Sequence, residues 1–195
     1  GQVQLYKVAK GCKVERITIE HDATSKQGRE HVLKLIADCD GPRTMLFSSM
    51  PCTGGTPWAN INKLKPGGME KWQEHQRVFR AIWATYVVCA KALAAKDGHL
   101  ANEWPTGCEY HRWPEVQEFF TAMGMKAVKF HGCRLGLVSF STGLPIMKPW
   151  TLTASGNELR KEFSDLLCNK SIHPEHAPCA GQDTKRTESY TDEMV

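Results

Sequence analysis

Between residues 69 and 96 the chain repeats apolar side chains at spacings of three and four: Trp72, Phe79, Ile82, Trp83, Tyr86, Val87, Ala90 and Leu93. That pattern is one apolar face of a single long helix. A helix of this kind needs an extended apolar surface to lie against. The flanking sequence offers one. Short apolar or β-branched runs at 14–19, 44–50, 99–103, 128–130, 135–140 and 149–154 read as strands. Stretches at 26–37, 115–123 and 158–167 carry helical spacing, with Val32, Leu33, Leu35 and Ile36 facing inward in the first. Leu159, Phe163, Leu166 and Leu167 are expected to do so in the last. Strand, loop and helix in alternation predict an α/β sheet covered by helices.

The 195 residues suffice for one domain with a real core, and 41% hydrophobic with 24% charged residues is ordinary for a globular chain. A formal net charge of +4 permits contact with nucleic acid without requiring it. No apolar run reaches the roughly 18 residues of a membrane span, and the polar N-terminus does not read as a signal peptide. The first residue is Gly1, as in a fragment or a product cut from a longer polypeptide. Eight cysteines spread through apparent strands and helices fit reduced thiols plus a metal site, and hence an intracellular protein.

In α/β sheets the working residues lie beyond the carboxyl ends of the strands. Three candidates fall there: the loop containing Asp22, the Pro51-Cys52 turn and the turn at Glu103. Cys52 opens a glycine-bearing loop, where backbone N–H groups favour thiolate character. Its bland reading is a small, partly buried residue. A thiol and a carboxylate at neighbouring strand ends can address one substrate together.

At these residues the sequence resembles the cytosine-5 methyltransferases, in which a Pro-Cys turn ends one strand and a Glu ends the next. The resemblance implies Cys52 as the nucleophile toward carbon 6 of cytosine and Glu103 as the acid holding the pyrimidine N3 and amino edge. It implies Arg134 as the arginine of a later strand, S-adenosylmethionine as cofactor, and Asp22 as the acidic residue meeting its adenine. The chain is more closely similar to methyltransferase-like domains of retroelement and viral polyproteins, including those of dinoflagellates and other marine protists. The residues that carry this are Ser49-Met50-Pro51-Cys52-Thr53, Trp58 with Asn60, and Glu103-Trp104-Pro105 with Cys108 and Tyr110. Gly132-Cys133-Arg134-Leu135-Gly136 and Lys148-Pro149-Trp150 complete the set, in the same order. The implied fold is a Rossmann-like, methyltransferase-type sheet with helices on both faces, truncated at its N-terminus. The family's first strand and Gly-rich cofactor loop are not found before Asp22, and Thr-Gly-Gly follows the Pro-Cys turn instead of the usual Gln-x-Phe-Ser. Either the upstream part belongs to another chain or segment of a polyprotein, or the domain is degenerate.

Cys168, His173, His176 and Cys179 have the spacing C-x4-H-x2-H-x2-C. Two thiolates and two imidazoles in one short loop suit tetrahedral zinc. The chain is thus expected to form an α/β methyltransferase-like domain over 1–167 with a Cys/His cluster tail over 168–195 packed on the same domain. The rival reading is a surface loop with four unrelated side chains.

The functional expectation is a methyltransferase-like domain acting on, or derived from action on, nucleic-acid cytosine. The alternative is a non-catalytic, zinc-stabilised module binding nucleic acid or protein within a larger polyprotein. A third is a cysteine hydrolase using Cys52 with a distant histidine. Trp58, Trp104, Trp113 and Trp150 lie in loops where they can stack on a base, although packing is the more ordinary use. Lys63, Lys65 and Lys71, and the Lys185-Arg186 pair, are expected as solvated surface. His111 and His131 are candidate extensions of a metal site.

Overall fold

A computed structural model describes residues 11–187 and 190–191. Four strands, β1 (Met45–Ser48), β2 (His99–Pro105), β3 (Lys126–His131) and β4 (Pro149–Ala154), form one mixed sheet in the order β1-β2-β4-β3. The helices are α1 (Lys26–Ala37), α2 (Pro57–Asn62), α3 (Gly68–Ala94), α4 (Pro114–Ala122), α5 (Asn157–Ser164) and α6 (Gln182–Arg186). The α/β expectation holds at this level. No described helix is long and apolar enough to cross a membrane.

Packing divides the chain into two compact units. One comprises Ile17–Val128 and Thr151–Lys161; the other takes Lys129–Trp150, the described residues from Glu162 onward and those before Ile17. The boundary expected at Cys168 therefore falls inside the second unit. Hydrogen bonds tie the tail to the end of β3, as described below.

In the first unit α3 buries Phe79, Trp83, Tyr86, Ala90 and Leu93 of the predicted stripe, together with Thr85 and Cys89, and leaves Trp72, Ile82 and Val87 half-buried. This stripe meets Leu100 and Trp104 of β2 and Phe119 and Phe120 of α4 in one core. Phe79 stacks on Tyr110 with ring centroids 3.7 Å apart, and Trp83 packs edge-on against both Phe119 and Phe120. β1 pairs with β2 in parallel, Met45 opposite His99 and Ser48 opposite Asn102. Helix α1 starts at Ser25, whose hydroxyl accepts the Gly28 N–H at 2.9 Å. Its last turn is closed from outside: the Lys96 ammonium donates to the carbonyls of Ile36, Ala37 and Cys39 at 2.7–2.9 Å. A cation there satisfies orphan carbonyls and opposes the negative end of the helix dipole.

Two expected strands do not form. Residues 14–18 are irregular and lead into a single 3-10 turn, Ile19–His21, in which Ile19 is 94% exposed. β-branched side chains favour a strand only where a neighbour supplies the ladder, and no described strand lies beside this segment. At 135–140 the chain makes a 3-10 turn, Gly132–Leu135, and then one isolated antiparallel bridge between Val138 and Pro145. Gly136 at φ 72° and Pro145 limit it, since proline donates no ladder hydrogen bond. The last predicted helix stops at Ser164, leaving Leu167 exposed.

Lys96→Met should remove three charge-assisted hydrogen bonds from the end of α1. At about 1–2 kcal/mol, thermal unfolding followed by circular dichroism should begin several degrees lower, with Ile17–Val128 most affected.

Candidate functional site

The second unit places four metal-binding side chains together, and its local hydrogen bonds explain how. β3 ends at His131, whose N–H donates to the Leu166 carbonyl at 2.9 Å. Two residues further on, the Cys168 N–H donates to His131 Nδ1, also at 2.9 Å. The tail is thereby laid beside the turn that carries Cys133. Asn169 then folds the chain back. Its side-chain oxygen accepts the N–H groups of Ser171 and Ile172, and its carbonyl accepts those of Ile172 and His173. This returns His173 to Cys168. The Ala177 N–H donates to the Pro145 carbonyl at 2.9 Å, which fixes the stretch holding His176.

The result is a cluster of Cys133, Cys168, His173 and His176 whose ligand atoms all lie within 4.8 Å of one another. Cys168 Sγ is 3.3 Å from His173 Nδ1 and 3.4 Å from His176 Nε2. Cys133 is buried. Burial, and then the neighbouring Cys168 thiol, push the Cys133 thiol up to about 12. A buried thiol beside a second thiol resists ionisation unless a cation compensates both charges. His131 is not one of the four. Burial lowers its pKa, and the neutral ring accepts the Cys168 N–H, so it positions that ligand.

Three of the four residues expected in the metal site are therefore brought together, and Cys179 is not. Its exposed thiol lies 3.3 Å from the Thr187 hydroxyl. Cys133, thirty-five positions upstream of Cys168, supplies the fourth donor. Its only sequence signal was the Gly-Cys turn at a strand end. No spacing rule joins residues so far apart. His111 packs edge-on against Trp104 with centroids 5.3 Å apart, in the first unit.

The strand-end residues belong to that first unit. Because β1 and β2 are parallel neighbours, Cys52 and Glu103 lie toward the same end of the sheet. Ser49 donates to Glu103 Oε2 at 3.1 Å, and Trp104 Nε1 donates to the Met50 carbonyl at 3.1 Å, which locks the two strand ends together. Glu103 is only 5% exposed and Cys52 is half-buried. The Thr53–Gly55 turn after Cys52 is packed down tightly. A side chain at Gly55 would meet the Cys108 sulfur at 2.9 Å and the Tyr110 ring at 3.0 Å. The Gly54 carbonyl accepts from Trp72 Nε1 at 3.1 Å and Gln76 Nε2 at 2.7 Å. Burial raises the pKa of both Cys108, to about 12, and Tyr110. These two groups are neutral walls of the site.

The remaining predicted residues have local partners. Asp22 sits at φ 41° and its carboxylate accepts the N–H and hydroxyl of Thr24, closing the turn before α1. Arg134 reaches the Leu167 carbonyl at 3.4 Å, next to the ligand Cys168.

No family model matches the chain, and comparison with curated proteins and with solved structures finds no match.

Metal retention separates the two thiols outside and inside the cluster. Cys133→Ser should take bound metal from about one ion per chain to near zero by elemental analysis, whereas Cys179→Ser should leave it unchanged.

Proposed function

We propose that the second unit is a structural zinc module and that the chain as a whole is a zinc-stabilised interaction domain. The observation that carries this is the convergence of Cys133, Cys168, His173 and His176. Ligands held 2.0–2.3 Å from a tetrahedral ion stand about 3.3–3.8 Å from one another. The sulfur–nitrogen separations of 3.3 and 3.4 Å lie in that range. Two sulfur and two imidazole donors match zinc in softness better than calcium or magnesium. Four protein ligands complete the tetrahedron, so the ion has no open position for substrate and its work is to order the fold. Binding must displace the Cys133 proton, and affinity therefore weakens as pH falls.

A second reading concerns Cys52 and Glu103, and the pairing of β1 with β2 favours it. A thiol after the end of one strand and a buried carboxylate near the end of its parallel neighbour, within β2, are what the resemblance to cytosine-5 methyltransferases requires. In that reading Cys52 adds to carbon 6 of a flipped cytosine and Glu103 holds its amino edge. Arg134 and an S-adenosylmethionine site at Asp22 belong to the same reading, but their side chains are engaged locally with Leu167 and Thr24. The chain is accordingly read as methyltransferase-derived, with the cofactor half of the site weak or supplied from elsewhere.

Removal of zinc by a chelator should sharply increase proteolysis after Leu167 while the circular dichroism signal of α3 persists. An unchanged digestion pattern would falsify the structural role. For the second reading, calorimetric titration of the chain with S-adenosylmethionine should show no micromolar binding. An oligonucleotide carrying pyrimidin-2-one for cytosine accepts a thiolate without a methyl donor. Its adduct, mapped by mass spectrometry, should sit on Cys52 and fall with Glu103→Gln; an adduct on another cysteine would remove Cys52 from the proposal.

A further inference from the structure

We infer that α2 and the loop after it form a docking surface for single-stranded nucleic acid, with Trp58 as a base-stacking platform. Five of the six tryptophans are buried or half-buried, but Trp58 is 70% exposed. The helix shows why. Ala59 is buried and Asn60 half-buried, so the opposite face carries Trp58, Ile61 and Asn62 outward. Ile61 and Leu64 are also exposed, at 52% and 80%. An exposed indole followed by two exposed aliphatic side chains is costly in water. No other described element of this unit uses them.

The charge around this ridge selects the partner. From 53 to 73 the chain holds Lys63, Lys65 and Lys71 against Glu70, and Glu109 reaches Asn60 of α2 from outside this stretch. None of the three lysines is in an ion pair among the described residues. Two of them are aimed. Lys65 donates to Asn62 Oδ1 at 2.9 Å, and Asn62 is one helical turn from Trp58 on the same face. Lys63 donates to Asn60 Oδ1 at 2.8 Å and lies 5.3 Å from the Trp72 ring centre. The ridge thus presents an indole face with the Lys65 ammonium held one helical turn away, while Lys63 is turned to the Asn60 and Trp72 side. That combination reads alternating bases and phosphates: stacking is available to any base, and lysines neutralise the backbone. A duplex hides its base faces, so the ligand is a single strand.

The platform is rigid. Asn60 Nδ2 also donates to Glu109 Oε1 at 2.6 Å, and the preceding turn is pinned through the Gly54 carbonyl to Trp72 and Gln76. A base landing on Trp58 meets a backbone that is already ordered, which lowers the entropy cost of binding. Two apolar side chains on a helix of six residues, with Leu64 just beyond it, make too small an anchor for stable interfacial binding to a bilayer. The inference rests on neither zinc nor Cys52 chemistry, both of which have separate readouts.

The test is fluorescence anisotropy of a labelled oligothymidylate with the full zinc-loaded chain at low salt. Trp58→Ala should weaken binding about 5- to 150-fold, the range of one lost stacking contact, and Trp58→Phe should restore most of it. Lys65→Gln should flatten the dependence of log affinity on log salt by about 0.7. Circular dichroism of each variant establishes that it is folded. Equal binding by wild type and Trp58→Ala overturns the proposal, as does equal affinity for a duplex of the same length. Failure to bind the oligonucleotide, with Trp58-dependent binding to anionic phospholipid vesicles instead, overturns it in favour of a membrane surface.

Discussion

The contact between α3 and β2 supports everything else in the first unit. Phe79 and Trp83 from the helix meet Trp104 from the strand, and Tyr110 and the α4 phenylalanines close the cluster. Each such aromatic pair is worth roughly 0.5–1.5 kcal/mol beyond the area it buries. This packing fixes β2 and, through parallel pairing, β1. The ends of those strands then have no freedom of their own. Ser49 is held against Glu103, Trp104 against Met50, and the Gly54-Gly55 turn against Tyr110. The exposed ridge of α2 follows directly from that turn, so its position too depends on the aromatic core.

The second unit is built on a different principle. It has a smaller apolar centre, in which Phe130 contacts Trp150 and Phe163. Much of its order comes from polar bonds that reach across long sequence separations. Asp183 accepts from the Ser139 hydroxyl at 2.7 Å and the Phe140 N–H at 3.0 Å, and Lys148 donates to the Thr187 carbonyl at 2.6 Å. Such loops bury too little apolar surface to offset the entropy of ordering them. Cys133, Cys168, His173 and His176, grouped closely enough to hold a metal ion, bring the turn after β3 and the tail together.

The longer helices were the most legible part of the sequence, whereas α2 and α6 form in stretches that read as loop. α1 and β4 occupy the residues their patterns indicated, and α3 lies within two residues of its predicted limits. The strand at 14–19 was illegible as a non-strand because β propensity records side-chain shape, whereas a strand also needs a neighbour. The run at 135–140 failed for a similar reason: its single bridge to Pro145 cannot extend into a ladder. In the candidate sites, the order of β1 and β2 was read correctly enough to send Cys52 and Glu103 to one end of the sheet. Arg134 and Asp22 drew their assignments from the resemblance, and local bonds to Leu167 and Thr24 occupy them in the structure.

The sequence by itself determined which longer stretches carry a helical stripe, that Cys52 follows a strand, and that the tail holds thiols and imidazoles close together. Those properties depend on neighbours a few residues apart, where geometry is fixed by the period of a helix or strand. The tertiary structure decided the membership of the metal cluster. Proximity along the chain favoured Cys179, but the Ala177 bond to Pro145 holds the chain at that point, and the Cys179 sulfur lies against Thr187. Cys133 enters from the end of β3 because His131 binds both Leu166 and Cys168. Ligand atoms are chosen by distance in space, and only the closed fold sets that distance.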